Sequence, residues 1–312
     1  MYKLPLSILI VMLFGIAPSA HAVVFTVDSL ASGAPGSALN DDVLATDPQT
    51  QNHLYFNDHN SSGNVGEMDA SAIGIAASHN VNALSNGNDA IGIANRLYFS
   101  VTGSSMGEVG TALRAEADLG EQAGDIFGFG EGMGGFMTKI VDAVDLGLAA
   151  TDNIDGADAF DPYQPNFTHF SDRVYFATDT AFGGFGTEDI LFSDGAGNIS
   201  LFADGIIDLG LASGDVIDAL VLDTTAGLAM FSLAGGSTSL ISGGYSGADL
   251  FSTSLDGSFS LAVSHTELGL LATDDIDAME VDFESVPVPG SALLMLGALA
   301  GLRRFRAMPA NS

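Results

Sequence analysis

The feature that most constrains this chain is a phrase that occurs four times. Its last copy reads Leu268-Gly269-Leu270 followed by Ile276-Asp277-Ala278. The earlier copies are Leu209-Gly210-Leu211 with Ile217-Asp218-Ala219, Leu146-Gly147-Leu148 with Ile154-Asp155-Gly156, and Ile73-Gly74-Ile75 with Val81-Asn82-Ala83. Three other anchors recur in fixed order between the copies. The first is an aromatic strand: Val24-Phe25-Thr26, Leu97-Tyr98-Phe99-Ser100, Val174-Tyr175-Phe176-Ala177 and Met230-Phe231-Ser232. The second is an Asp leading apolar residues: Asp42-Val43-Leu44, Asp125-Ile126-Phe127, Asp189-Ile190-Leu191 and Asp249-Leu250-Phe251. The third is a strand-like run at Leu54–Phe56, Phe136–Val141, Ile199–Phe202 and Phe259–Val263. Anchors that keep their order over roughly 50–75 residues point to a repeated β unit rather than a helical solenoid.

The last unit predicts four short strands, Asp218–Asp223, Ala229–Leu233, Asp249–Thr253 and Phe259–Ser264, joined by Gly-rich turns. Four antiparallel strands repeated about an axis make a propeller blade. The unit that begins at Val24 lacks a strand in front of it, and Ile276–Phe283 is a strand with no blade after it. Pairing the two closes a ring and removes two bare edges. The expected fold is therefore all-β, a small four-bladed β-propeller with units 23–80, 81–153, 154–216 and 217–275, closed by the C-terminal strand 276–283. A two-sheet β-sandwich of similar strand count is the alternative. The recurring Ile-Asp-Ala followed by a Tyr-Phe strand resembles the blades of hemopexin-type four-bladed propellers. That resemblance implies inner strands that begin with Asp-Ala and ring a channel holding ions; Asn82 and Gly156 depart from the pattern.

Charge narrows the function. The chain has 39 acidic residues against 8 basic ones, a formal net charge of −31, and no cysteine. Only Arg96, Arg114, Lys139 and Arg173 are basic between Val23 and Glu284. A field of that sign repels nucleic acid and anionic membrane surfaces and attracts cations. Without cysteine there are no disulfides and no thiolate metal sites. With 47% apolar residues, a buried core is still available.

The two ends read as addresses. Lys3, the apolar run Leu4–Ile16 and the small residues Ala20-His21-Ala22 form a secretory signal cleaved after Ala22, spanning 1–22. At the other end, 286–312 holds Val286-Pro287-Val288-Pro289, an apolar stretch Gly290–Leu302, and the cluster Arg303, Arg304 and Arg306. Prolines keep the first part extended, the apolar run, counted from Val286, is just long enough for a strained or thin-bilayer span, and arginines hold their end on the cytoplasmic side. This tail resembles the PEP-CTERM sorting signal, with Val288 in place of the usual Glu. The resemblance implies processing by an exosortase in the inner membrane of a Gram-negative bacterium and release to the cell surface or matrix. The expected partners are signal peptidase, an exosortase-type enzyme and an exopolysaccharide, with membrane contact only through the tail.

The candidate site is the aligned set Asn82, Asp155, Asp218 and Asp277, at the start of each inner strand. Carboxylates converging on one channel mouth repel each other unless a cation is held, and Ca²⁺ accepts six to eight such oxygens. Asp152, Asp215 and Asp274 recur three residues earlier and would add to the set. The competing reading makes these residues turn caps. Other motifs are weak. Asp152–Asp161 lacks the spacing of an EF-hand, His53 and His59 share a strand face without a third ligand, and Gly128–Gly135 is a flexible turn with no lysine for phosphate. The sequence therefore predicts a non-enzymatic surface or matrix protein with a structural or adhesive role. A ligand- or sugar-binding propeller and a secreted hydrolase are the alternatives.

Overall fold

The strands form where β-branched and aromatic residues run between Gly- and Asp-rich turns. The computed structural model describes residues 23–27, 53–57, 65–69, 73–76, 79, 81–85, 96–130, 137–159 and 174–281. The strands are Val23–Val27 (β1), His53–Asn57 (β2), Val65–Asp69 (β3), Val81–Ser85 (β4), Arg96–Val101 (β5), Ile126–Gly130 (β6), Thr138–Val141 (β7) and Ile154–Ala159 (β8). They continue as Val174–Thr178 (β9), Ile190–Ser193 (β10), Ile199–Ala203 (β11), Ile217–Asp223 (β12), Leu228–Leu233 (β13), Leu250–Thr253 (β14), Ser260–Val263 (β15) and Ile276–Val281 (β16). Among the described residues three short α-helices, Ala112–Ala117 (α1), Ala143–Leu146 (α2) and Thr238–Gly243 (α3), and a 3-10 turn at Gln122–Gly124 interrupt them.

The strands make four antiparallel sheets of four, in the orders β16-β1-β2-β3, β4-β5-β6-β7, β8-β9-β10-β11 and β12-β13-β14-β15. The first strands of the sheets touch in ring order, β4 to β8 to β12 to β16 and back to β4. This is a four-bladed propeller rather than a two-sheet sandwich. The C-terminal strand closes it: β16 pairs antiparallel with β1, Val23 opposite Val281 and Phe25 opposite Met279.

The repeated Leu-Gly-Leu is the seal between blades. In each copy the glycine has positive φ (Gly74 91°, Gly147 90°, Gly210 79°, Gly269 71°), a conformation open to glycine with no steric cost. It ends the turn after a blade's outer strand with helix-capping bonds, as from Leu148 N to Ala143 O at 2.8 Å and Leu270 N to His265 O at 2.8 Å. The residues on either side of each glycine are buried, and each pair enters a different apolar layer. Leu209 and Leu211 lie between blades 3 and 4, Leu268 and Leu270 between blades 4 and 1. The next blade locks onto the turn: Gly197 N donates to Asp145 O and Gly257 N to Asp208 O, both at 2.7 Å.

A second interblade tie explains the hydroxyls after the aromatic pairs. Thr26 Oγ1 donates to Val81 O at 3.1 Å, Ser100 Oγ to Ile154 O at 3.0 Å, and Ser232 Oγ to Ile276 O at 3.0 Å. Each bonds the first residue of the next inner strand. Blade 3 has Ala177 at this position, opposite Gly156. There Thr187 serves instead, with its carbonyl accepting from Ile217 N at 3.3 Å and its hydroxyl donating to Asp215 O at 2.7 Å.

Two sequence expectations change. In blade 1 the run at Leu54–Phe56 belongs to the third strand, β2, and the outer strand is β3. The register aligns His53 with Asp125, Asp189 and Asp249, because Tyr55 stands opposite Phe25 as Phe127 does opposite Phe99. The Asp that marks this strand elsewhere is a histidine here, so Asp42 drew the assignment to the wrong place; Asp42–Leu44 lie outside the described residues. Gly128–Gly130 are strand rather than turn, with Gly130 paired to Arg96. Among the described residues no helix is long and apolar enough to cross a membrane. The signal segment with Ala20 and Ala22, and the tail with Val286–Pro289, Arg303, Arg304 and Arg306, lie outside them.

Candidate functional site

The four aligned residues sit at one level of the ring for a backbone reason. In every inner strand the pairing register skips one residue, and the skipped residue is the aligned one. Val81 and Ala83 pair with Val101 and Ser100, omitting Asn82. The same break passes over Asp155, Asp218 and Asp277. Each is the extra residue of a β-bulge, a device that releases one residue from the ladder and re-aims its side chain. A small residue follows each bulge because the strands crowd the axis there. A Cβ on Gly156 would lie 3.0 Å from Leu220 Cβ and 3.1 Å from Leu220 N.

Asn82, Asp155 and Asp277 retain only 6%, 7% and 8% of their exposure, and Asp218 is half-buried. The structure brings two of them into direct contact: Asn82 Nδ2 donates to Asp155 Oδ1 at 2.9 Å. Asn153 Nδ2 donates to the same oxygen at 2.8 Å and to Asp179 Oδ2 at 3.1 Å, so one amide bridges two carboxylates. The Asn153 Oδ1 atom is buried without a hydrogen-bond partner. Burial pushes the Asp155 carboxyl up to about 8, reinforced by the nearby Asp179 and Asp275 charges and opposed by the Asn82 hydrogen bond. A proton therefore resides on Asp155 at neutral pH.

Asp152, Asp215 and Asp274 do other work. Each carboxylate accepts from the backbone three residues before it: Asp152 from Ala149 at 2.8 Å, Asp215 from Ala212 at 2.9 Å, Asp274 from Leu271 at 2.8 Å. They brace the turn that leads into each bulge. These are the bonds of the turn-capping reading. Among the described residues no three Asp, Glu or His side chains gather as a metal-holding group. At Asp155 the two amide donors, Asn82 and Asn153, meet one carboxylate oxygen.

A sequence-silent feature lies further down the same strand. Asp158 is fully buried, accepts from Ser85 Oγ at 3.1 Å and from Leu222 N at 2.8 Å, and so joins the inner strands of blades 2, 3 and 4. Asn153 and Asp158 lie within the acid-rich stretch Asp152–Asp161, whose spacing assigns neither a role, and Asp179 belongs to no sequence motif. The signal was a second Asp in a strand otherwise built of small and apolar residues.

The second-anchor Asp residues form another repeated device. Asp125 accepts from Ala143 N at 2.8 Å, Asp189 from Gly205 N at 2.9 Å, and Asp249 from His265 N at 2.6 Å. Each joins the start of a third strand to the residue just past the fourth. Of these three residues only blade 4's carries a ring, and His265 Nδ1 lies 2.7 Å from the same Asp249 oxygen. The neighbouring Ser264 directs its hydroxyl to Glu267 Oε2 at 2.7 Å rather than to the imidazole. His53 lies at the corresponding strand position in blade 1, and His59 is outside the described residues.

No family model matches the chain, and no curated protein matches it. Among solved structures it is similar to the extracellular domain of a one-component system protein from B. thetaiotaomicron, at 11% identity and a TM-score of 0.26 over 65% of this chain and 18% of that one. It is also similar to the GH74 enzyme of Niastella koreensis, at 12% identity and a TM-score of 0.27 over 68% of this chain and 34% of that one. The chain thus spans a fifth to a third of the proteins it resembles.

Proposed function

We propose that the chain is an exported, non-enzymatic propeller, sorted by an exosortase-type system to the cell surface or extracellular matrix, where its role is structural or adhesive. The observation that carries this reading is where the described strands begin and end. β1 begins at Val23, directly after Ala20-His21-Ala22, and β16 ends at Val281, ahead of the Val286–Pro289 motif. Removal of both end segments would leave all sixteen described strands intact. The acidic, cysteine-free composition suits an exopolysaccharide matrix in which divalent cations screen like charges.

Intact-mass measurement of the secreted protein tests the sorting step. The expected product begins at Val23 and lacks Gly290–Leu302. Secreted material that retains this apolar stretch, or unchanged processing in a strain without the exosortase, would overturn it.

A further inference from the structure

Each blade ends on an outer strand, and a sheet edge is a row of backbone N–H and C=O groups ready to pair with another chain. Blades 1 and 2 carry features that guard such an edge. β3 includes Glu67 and Asp69. β7 includes Lys139, whose Nζ lies 2.9 Å from Glu116 of the adjacent α1 and 2.7 Å from Asp142. Blades 3 and 4 have neither charge nor proline there: β11 reads Ile-Ser-Leu-Phe-Ala and β15 reads Ser-Leu-Ala-Val.

The registers place Leu201 and Leu261 where Lys139 stands in blade 2, opposite Leu191, Phe251 and Phe127 respectively. These leucines are 43% and 40% exposed. The segment after β11 meets the turn that precedes β15. Ile206 and Ile207 follow β11 with 50% and 71% exposure, and the β14–β15 turn is bonded to the same segment through Gly257 N and Asp208 O. Acids flank the apolar edge, Asp194 before β11 and Asp204 after it, Asp256 before β15 and Glu267 after it.

We propose that the outer edges of blades 3 and 4, β11 foremost, accept an extended strand from a partner protein, apolar at alternate positions and flanked by lysine or arginine. Backbone pairing supplies the attachment, Leu201 and the Ile206–Ile207 pair receive the apolar side chains, and the flanking acids select the basic ends. Charge complementarity decides the occupant. A second copy brings the same acids to the same edge and a net charge of −31 to each partner, whereas a basic strand is attracted. The assignment goes beyond the surface or matrix role and does not depend on the sorting route.

The test uses a fluorescein-labelled nine-residue peptide of alternating Val and Thr with two lysines at each end, titrated with the full chain at physiological ionic strength. A glutamate-ended peptide serves as the control. Saturable anisotropy is expected for the lysine-ended peptide, with the glutamate-ended peptide at least about tenfold weaker. The Leu201→Lys/Leu261→Lys double variant should lose at least about tenfold, while Val109→Lys, on a blade 2 connection, should not. Circular dichroism melts check that the variants fold, and the single Leu201→Lys variant stands in if the double does not. Three results would each overturn the proposal: no saturable binding, binding unchanged by Leu201→Lys, or a wild-type dimer that Leu201→Lys abolishes and that excludes the peptide.

Discussion

Replacing Asp155 by Asn should stabilise the propeller, and should do so more as the pH rises. The side chain accepts amide hydrogens from Asn82 and Asn153 through one oxygen, and the oxygen of an Asn can accept both. What the substitution removes is the cost of ionising a buried acid. The carboxyl shifts from 3.8 to about 8, chiefly through burial. For a carboxyl raised on folding, no cost exists below about pH 4, where folded and unfolded chains both hold the proton. Above that the unfolded chain releases its proton first, and stability falls by about 1.4 kcal/mol per pH unit until the folded state ionises near pH 8. Between pH 5 and pH 8 Asp155 alone therefore costs about 3–4 kcal/mol. Urea denaturation at pH 5, 6, 7 and 8 reads this directly. The D155N protein should gain about that amount on wild type across the series. Parallel stability curves for the two proteins would refute the reasoning.

Other positions give sharp expectations. Gly156→Ala places a methyl 3.0–3.2 Å from the neighbouring inner strand and should destabilise by about 1–3 kcal/mol in chemical denaturation. Ser232→Ala leaves the Ile276 carbonyl without its interblade donor and should cost about 1 kcal/mol, with Ser100→Ala similar. Deleting 276–281 strips β1 of its inner partner, and the cooperative thermal transition should vanish; a native-like melt would contradict ring closure. Calcium added at fixed ionic strength, where screening is constant, should shift the melting temperature of wild type and D155N by the same small amount. A rise confined to wild type would make the bulged ring a cation site.

Much of the architecture was legible because the repeat is phrased in chemistry that strands and turns require. The four strands of the last blade and the closing strand all lie within a residue or two of their predicted positions. Legibility failed where the marker residue changed, as at His53, which takes the place of the Asp that opens the third strand elsewhere. The aligned Asn82, Asp155, Asp218 and Asp277 could be found by repetition. That they are bulges could not, because a bulge is a relation between two strands. The Asn82–Asp155 contact and the three-blade junction at Asp158 arise from segments more than sixty residues apart. Local spacing is silent about both.

The pairing of β16 with β1 also orders events in time. The earliest strand of the body finds its inner neighbour only after roughly 250 further residues have been made, a loop closure costing about 5 kcal/mol in chain entropy. Until Ile276–Val281 arrives, blade 1 lacks its axial strand and the ring stays open. Ring closure is therefore gated by completion of the chain, because only blade 1 draws a strand from the far end of the sequence.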